Sequence, residues 1–205
     1  MSSIYESIPQ SVGPIDSFGA GGQMYISDIW GGFNISAEQT NPLFAFSEND
    51  GNVVNAGVLT NLTEARKIGS TMEFKAMQLG IRIFKHGGAA VVSPAEVQAM
   101  KALLQSAKIT ITLGSNETKI AEFSGLHLMA TIDAMAADAT NTCASQNGAI
   151  GNTSWINLKI PVPVQANVNI GGTVKFNATV PSALTSTANS FGFVVILAGM
   201  KVVKS

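Results

Sequence analysis

The chain has 205 residues, of which 46% are hydrophobic but only 12% are charged, and its formal net charge at pH 7 is −1. Neither sign of charge is clustered, so a basic arm for nucleic acid is absent and direct nucleic-acid binding is not expected. The longest apolar run, 191–200, is too short to span a bilayer, and residues 1–14 lack the charged and apolar regions of a signal peptide.

The low charge content has two interpretations. Soluble domains usually carry about 25% charged residues, which help a free monomer to stay soluble. A subunit of an assembly needs fewer charges because neighbouring copies cover much of its surface, and interface cores are depleted in charge. The alternative is that the chain is simply rich in Ser, Thr and Asn, as many secreted and phage proteins are. We favour the assembly interpretation.

Residues 1–22 are predicted to form an extended N-terminal arm, because Pro9, Pro14 and the glycine cluster at 19–22 oppose a regular helix. Apolar residues recur along this arm and are predicted to contact a neighbouring surface: Ile4, Ile8, Val12, Ile15 and Phe18. No linker divides the remainder, so residues 23–205 are predicted to be a single β-sandwich domain.

Alternating apolar and polar residues, the pattern of strands with one packed face, dominate this domain. Residues 156–170 alternate throughout, Pro161 and Pro163 mark a strand break or an exposed edge, and Gly171-Gly172 suits a two-residue hairpin turn. A first strand at 24–30 is predicted to end at the similar pair Gly31-Gly32.

Two local features in the middle of the chain are more specific. The apolar positions of 71–85 change parity at Ala76-Met77, which predicts a β-bulge in one long strand. Ser93-Pro94-Ala95-Glu96 is a capping box with proline at the first helical position, and an apolar stripe follows it. These residues predict one short helix at about 93–107 in a connection between strands.

The last strand, 191–203, is apolar on both faces. An antiparallel strand usually leaves one face to solvent, so the second face needs a cover from the 93–107 helix, from long loops or from another subunit. We predict that Val194, Ile196 and Met200, on that second face, take part in a subunit interface.

No pattern indicates catalysis, a metal or a cofactor. His86 and His127 have no metal-ligand spacing, and a triad of His127, Asp133 and a serine lacks a nucleophile elbow. Residues 48–52 resemble part of a calcium loop but lack its later glutamate, so a turn is the preferred interpretation. Cys143 is alone and forms no disulfide framework. The chain is therefore predicted not to be an enzyme.

The fold class predicted from these elements is all-β, a two-sheet jelly-roll-type sandwich of about eight to ten strands with one short helix. With that layout, the chain resembles the single jelly-roll capsid proteins of tailless icosahedral bacteriophages. The resemblance is carried by 71–84, by the helix 93–107 leading into 109–113, and by 191–203 with its Gly199-Met200-Lys201-Val202 end. It is one of pattern and covers about 70–205.

That resemblance implies a structural shell subunit, trimeric or pentameric, whose arm reaches neighbouring copies, other capsid proteins or an internal membrane. The expected location is the virion, after synthesis in the host cytoplasm. The neutral N-terminus departs from capsid proteins that bind the genome through basic arms. The alternative hypothesis is a carbohydrate-binding, lectin-like or receptor-binding spike module. Its sugar-binding face would use Trp30, Trp155, Tyr5 and Tyr25, although burial is the commoner fate of such residues.

Overall fold

A computed structural model describes residues 23–47, 59–69, 72–87, 92–125, 155–185 and 190–203. Within these ranges the chain forms strands β1 (Gln23–Asn34), β2 (Thr40–Leu43), β3 (Met72–Gly87), β4 (Ala107–Leu113), β5 (Thr118–Ser124), β6 (Ile156–Val164), β7 (Ile170–Phe176) and β8 (Ser190–Val203). Helix α1 (Pro94–Ser106) joins β3 to β4, and a 3-10 turn (Ser182–Leu184) lies between β7 and β8.

The strands pair as one long antiparallel ribbon folded over on itself. β1 pairs with β8, β2 with β7, β3 with β6 and β4 with β5, and folding the ribbon brings β8 beside β3 and β7 beside β4. The result is two sheets with the orders β1-β8-β3-β6, here sheet A, and β2-β7-β4-β5, here sheet B. This nested pairing is the jelly roll, and it confirms the predicted two-sheet sandwich.

The hydrophobic core lies between the two sheets and is centred on three aromatic rings. Phe33 and Phe193 of sheet A stack with centroids 5.3 Å apart, and Phe176 of sheet B meets Phe193 edge-on at 5.9 Å. Offset-stacked and edge-to-face arrangements are the favourable ones for aromatic pairs. These rings therefore join the two sheets directly.

Helix α1 begins where the capping box predicts. The Ser93 hydroxyl accepts a hydrogen bond from the Glu96 amide, and the Glu96 carboxylate accepts one of 2.6 Å from the Ser93 amide. The predicted apolar stripe is buried in the core: Val97, Met100, Leu103 and Leu104. The helix contacts β7 and the 3-10 turn, so it covers part of the sandwich core.

A buried ion pair ties the start of α1 to β3. Lys85 Nζ lies 2.9 Å from Glu96 Oε1, and the two side chains are only 4% and 8% exposed. Burial alone would raise the pKa of Glu96, but hydrogen bonds from Ser93 and Lys85 outweigh it and hold that pKa below its ordinary value. The same carboxylate thus caps the helix and neutralises a buried ammonium group.

The bulge predicted at Ala76-Met77 is confirmed, because the pairing of β3 with both β6 and β8 shifts register between Ala76 and Gln78. Met77 is the extra residue on β3. Phe74 and Ala76 before it, and Leu79 after it, consequently all belong to the core. One inserted residue explains the parity change in the sequence.

The interpretation of the two Gly-Gly pairs as strand ends is wrong. β1 runs through Gly31-Gly32, and β7 includes Gly171-Gly172. The turn before β7 instead lies at 165–169, where Asn167 has φ of 62°. A Cβ on Gly32 would collide with the carbonyl oxygen of Phe193, and one on Gly172 with that of Thr110. These glycines therefore serve the close approach of neighbouring strands rather than a turn.

β6 is an edge strand of sheet A, as its prolines indicate. Ala76 of β3 pairs with Val162 and Gln78 pairs with Asn157, so residues 158–161 all lie opposite Met77. This stretch bulges out of the regular ladder, and Ile160 within it is 80% exposed. The strict alternation predicted for 156–170 is therefore broken at Ile160.

Candidate interaction surface

The outward faces of the two sheets differ in polarity. On sheet B the outward side chains are mostly polar and exposed: Thr40, Pro42, Lys108, Glu122, Thr173 and Lys175. On sheet A an apolar stripe runs along β1 and β8, with more polar residues on β3. We call the outward residues Ile26, Trp30, Trp155, Ile196 and Met200 the apolar face.

Strand register arranges this face in rows that run across sheet A. Ile196 of β8 lies opposite Trp30 on one side and Gly80 on the other. Directly opposed residues of antiparallel strands share a face, so these three belong to one row. The next row towards the C-terminus of β8 contains Asp28, Ala198 and Gln78, and the one after it Ile26, Met200 and Lys75.

Trp155 lies flat on the row at Gly80. A Cβ built on Gly80 would be 3.0 Å from both Cε3 and Cζ3 of Trp155 and 3.3 Å from Cη2. Three neighbouring ring atoms at nearly equal distances mean that the face of the ring, rather than its edge, is turned towards the glycine. Both tryptophans of the chain therefore occupy one row, on either side of Ile196.

Trp30 is held in place from the edge of β1. The side-chain oxygen of Asn61 accepts a hydrogen bond of 2.9 Å from the Trp30 amide, and its Nδ2 donates to the Asp28 carbonyl at 3.0 Å. The Thr60 hydroxyl donates to the Trp30 carbonyl at 3.1 Å. These bonds satisfy backbone groups that an edge strand would otherwise leave to water, and they fix the β1 backbone beneath the indole.

Polar groups border the tryptophan row. Asp28 is exposed beside Trp30, and burial of part of the carboxylate raises its pKa, an effect partly offset by a hydrogen bond from its own backbone. On β6, exposed Asn157 accepts a hydrogen bond of 2.8 Å from Gln78 Nε2. Since that bond uses the amide oxygen of Asn157, its Nδ2 points away from Gln78. A carboxylate and an amide thus border the row that holds the two tryptophans.

The interface residues predicted from β8 have different environments. Val194 is 3% exposed and packs with Leu59 and Phe84 of the same chain. Ile196 and Met200 are half-buried on the outward face, so they remain available to a partner. The arm residues predicted for the same interface lie outside the described residues: Ile4, Ile8, Val12, Ile15 and Phe18. A contact between the arm and another copy stays a prediction.

The cover that the last strand needs is therefore partly supplied by the chain itself. Leu59 and Phe84 cover the outward side of β8 at Val194, whereas the opposite side of β8 packs in the core through Phe193 and Val195. Helix α1 is not that cover, because its buried residues belong to the core between the sheets. A loop segment thus fills the role at one end of the strand.

A shallow cleft of about 240 Å³ lies elsewhere, between the end of α1 and strand β5. Phe123 contributes to its lining, and the Lys108–Glu122 ion pair of 3.0 Å stands on one wall. Hydrogen bonds from Lys119 and Lys108 hold the pKa of Glu122 below its ordinary value. The principal charges of this cleft already neutralise one another.

The residues considered for catalysis or metal binding are not brought together within the described ranges. His127, Asp133 and the 48–52 segment lie outside them, and the side chain of His86 is not described. No group of three or more His, Cys, Asp or Glu side chains with the arrangement of a metal site occurs in the described part of the chain.

No protein-family model matches the chain, and a search of curated proteins finds no significant relative. Among the described residues no helix has the length and apolar character required to span a membrane. Function must therefore be argued from the fold and from the apolar face.

Proposed function

We propose that this protein is a non-catalytic structural subunit of a viral capsid, of the bacteriophage type, which assembles through the apolar face of sheet A. The observation that carries the proposal is the contrast in polarity between the two sheets. Sheet B exposes threonine and lysine, whereas sheet A directs tryptophan, isoleucine and methionine outwards. Such a face suits a subunit of an assembly, in which neighbouring copies cover it.

The exposed apolar residues support the proposal. Ile26 is 44% exposed and lies directly opposite half-buried Met200, while Ile160 is 80% exposed on the edge strand. Single exposed apolar residues are normal on a protein surface, but several on one sheet are typical of interaction sites. The overall charge content of 12% fits a surface that neighbouring subunits cover.

The proposed partners are other copies of the chain, grouped as trimers or pentamers in a larger shell. Other capsid proteins and an internal membrane are further partners in this proposal, and the proposed location is the virion. A net charge of −1 and the absence of a basic cluster in the sequence support a shell that does not itself bind nucleic acid.

The first test is the mass of the purified protein by light scattering, followed by negative-stain electron microscopy of the same sample. Discrete trimers, pentamers or shells are expected. A protein that remains monomeric at high concentration contradicts the proposal.

A matched pair of variants then locates the interface. Met200→Glu places a carboxylate in the apolar face, next to Lys75 on the neighbouring strand. Thr173→Glu places the same group on the exposed face of sheet B, two residues from Lys175. Met200→Glu is expected to shift the protein to smaller species without loss of fold, because charged groups are depleted from interface cores and their desolvation opposes association. Thr173→Glu should leave the mass unchanged, and the reverse pattern would place the interface on sheet B.

A further inference from the structure

The tryptophan row forms a platform on the outward face of sheet A, with the Trp155 ring lying flat over Gly80 and Trp30 packed against Leu59, Phe84 and Val194. Trp155 turns one ring face towards Gly80, so its other face is directed away from the sheet. Trp30 and Gly80 lie on the two strands that flank β8, which places their Cα atoms about 10 Å apart. Ile196 lies between them in the row.

We propose that this platform is a carbohydrate-binding site for pyranose rings of neutral hexoses and N-acetylhexosamines. A pyranose in its chair form has an apolar face of C–H groups that fits against an indole ring, while its hydroxyl groups project around the rim. Tryptophan supplies a large, rigid contact area of this kind. Two tryptophans on strand positions about 10 Å apart suit a short oligosaccharide better than a single sugar.

The polar groups beside the platform match the needs of that ligand. Sugar hydroxyls both donate and accept hydrogen bonds, so a site for them requires donors and acceptors at its rim. Exposed Asp28 supplies acceptors in the row next to Trp30. Exposed Asn157, whose oxygen is bonded to Gln78, supplies the Nδ2 donor on the Trp155 side. Binding pockets for small ligands combine an apolar surface with a few placed polar groups in the same way.

This site goes beyond the proposed assembly role: it uses the tryptophan end of the apolar face, whereas the contact with a neighbouring subunit is assigned to the end at Ile26 and Met200. The row of Ile26 and Met200 is four residues along β1 and β8 from the tryptophan row, which corresponds to about 13 Å. A subunit can therefore bury the Met200 end of the face against a neighbour and present the tryptophan row to a glycan.

The first experiment is an array of neutral hexose and N-acetylhexosamine oligosaccharides, followed by titration of the best binder while tryptophan fluorescence is recorded. Because the chain has two tryptophans and both lie in this row, the whole tryptophan signal reports on the proposed site. Saturable change in emission is expected. An array without any bound glycan, or binding without a change in emission, overturns the proposal.

Variants assign the binding to the platform. Trp155→Ala and Trp30→Ala are each expected to weaken glycan binding at least tenfold, whereas Ile160→Ala, on the exposed bulge of the same sheet, should leave it unchanged. Gly80→Ala retains both tryptophans but brings a methyl group within 3.0 Å of the Trp155 ring, so it should tilt the ring and weaken binding. Unchanged affinity in Trp155→Ala would contradict the site even if the fold and assembly were normal.

These variants test assembly and glycan binding separately. Met200→Glu should reduce the assembled mass and preserve glycan binding, whereas Trp155→Ala should preserve the assembled mass and weaken glycan binding. If assembly itself shifts tryptophan emission to shorter wavelength and no glycan binds, the row is buried between subunits. That result would overturn the carbohydrate site and leave the assembly proposal standing.

Discussion

Breaking the Lys85–Glu96 ion pair should cost far more stability than breaking a similar pair at the surface. The two side chains are 4% and 8% exposed, and their charged atoms are 2.9 Å apart. Lys85→Met would leave the Glu96 carboxylate buried without its cation. Removal of one partner from a buried pair typically lowers the free energy of unfolding by about 3–5 kcal/mol. A domain is stable by only about 5–15 kcal/mol, so this variant should unfold readily.

The double variant separates the effect of losing the ion pair from the free-energy cost of burying one charge without its counter-ion. Glu96→Gln keeps an oxygen that accepts from the Ser93 amide, so the helix cap survives. Combined with Lys85→Met, it leaves neither charge in the core. The double variant should be more stable than Lys85→Met alone, because a buried pair replaced by neutral groups is often nearly neutral in stability. We expect the sum of the losses in free energy of unfolding in the two single variants to exceed the loss in the double variant by about 0.5–3 kcal/mol.

The chain provides a matched control for this experiment. Lys119 and Glu122 form an ion pair of 2.6 Å, but their side chains are 58% and 37% exposed. Lys119→Met should change stability far less than Lys85→Met does, because solvent screens an exposed ion pair. Urea unfolding can be followed by tryptophan fluorescence at a protein concentration that gives every variant the same oligomeric state. If Lys85→Met and Lys119→Met lower the free energy of unfolding equally, burial does not determine how much the Lys85–Glu96 pair contributes to stability.

The same pair predicts a dependence of stability on pH. The pKa of Glu96 is lowered in the folded protein, whereas an unfolded glutamate has a pKa of about 4.3. The stability that Glu96 contributes is therefore fully present above that pH and is lost as the pH falls through the folded-state pKa. Acid unfolding of the double variant should show a smaller loss over this range than that of the wild-type chain.

Three further predictions concern the sheet, its edge and the arm. Val195→Asp should prevent folding, because Val195 is fully buried between the sheets and the change buries an unpaired charge; a soluble variant with a cooperative melting transition would contradict the strand assignment. Asn61→Ala removes both side-chain hydrogen bonds from Asn61 to β1, so hydrogen exchange at the Trp30 amide should accelerate, and unchanged protection would show that these bonds do not hold the edge of β1. Deletion of residues 1–22 should leave circular dichroism unchanged and reduce the assembled mass, whereas loss of the fold would make the arm part of the core.

Much of the fold follows from local sequence patterns. The capping box places the start of α1 at Pro94 because the hydrogen bonds that define it lie within four residues. The bulge at Met77 is visible because one extra residue changes the parity of every apolar position after it. Features determined by neighbours in the chain can thus be predicted without knowledge of the tertiary structure.

The two Gly-Gly pairs show a feature that local sequence patterns cannot predict. Gly31-Gly32 and Gly171-Gly172 have the composition of tight turns, yet they lie inside strands. Glycine permits either a positive φ or the close approach of another backbone, and the sequence pattern is the same for both. Only the strand alongside, such as β8 beside Gly32, decides between the two uses.

The candidate site was predictable to a smaller extent. The parity of β8 alone places Ile196 and Met200 on the outward face, as expected from the sequence. The partnership of Trp30 with Trp155 depends on the register of β1 and β3 against β8, which unites segments far apart in the chain. Parity could have placed Trp30 outward together with Ile26, but nothing local indicates that Trp155 lies over Gly80.

The size of the exposed apolar patch also constrains how the proposed assembly works. Complete burial of one large aliphatic side chain contributes about 1.5–3 kcal/mol, and Ile26 and Met200 are already partly covered within the chain. Association also loses translational and rotational freedom, so one contact through these residues would be weak. A closed shell repeats each contact by symmetry and links every subunit to several neighbours. Assembly should therefore depend steeply on protein concentration, with few intermediates between the smallest oligomer and the complete shell.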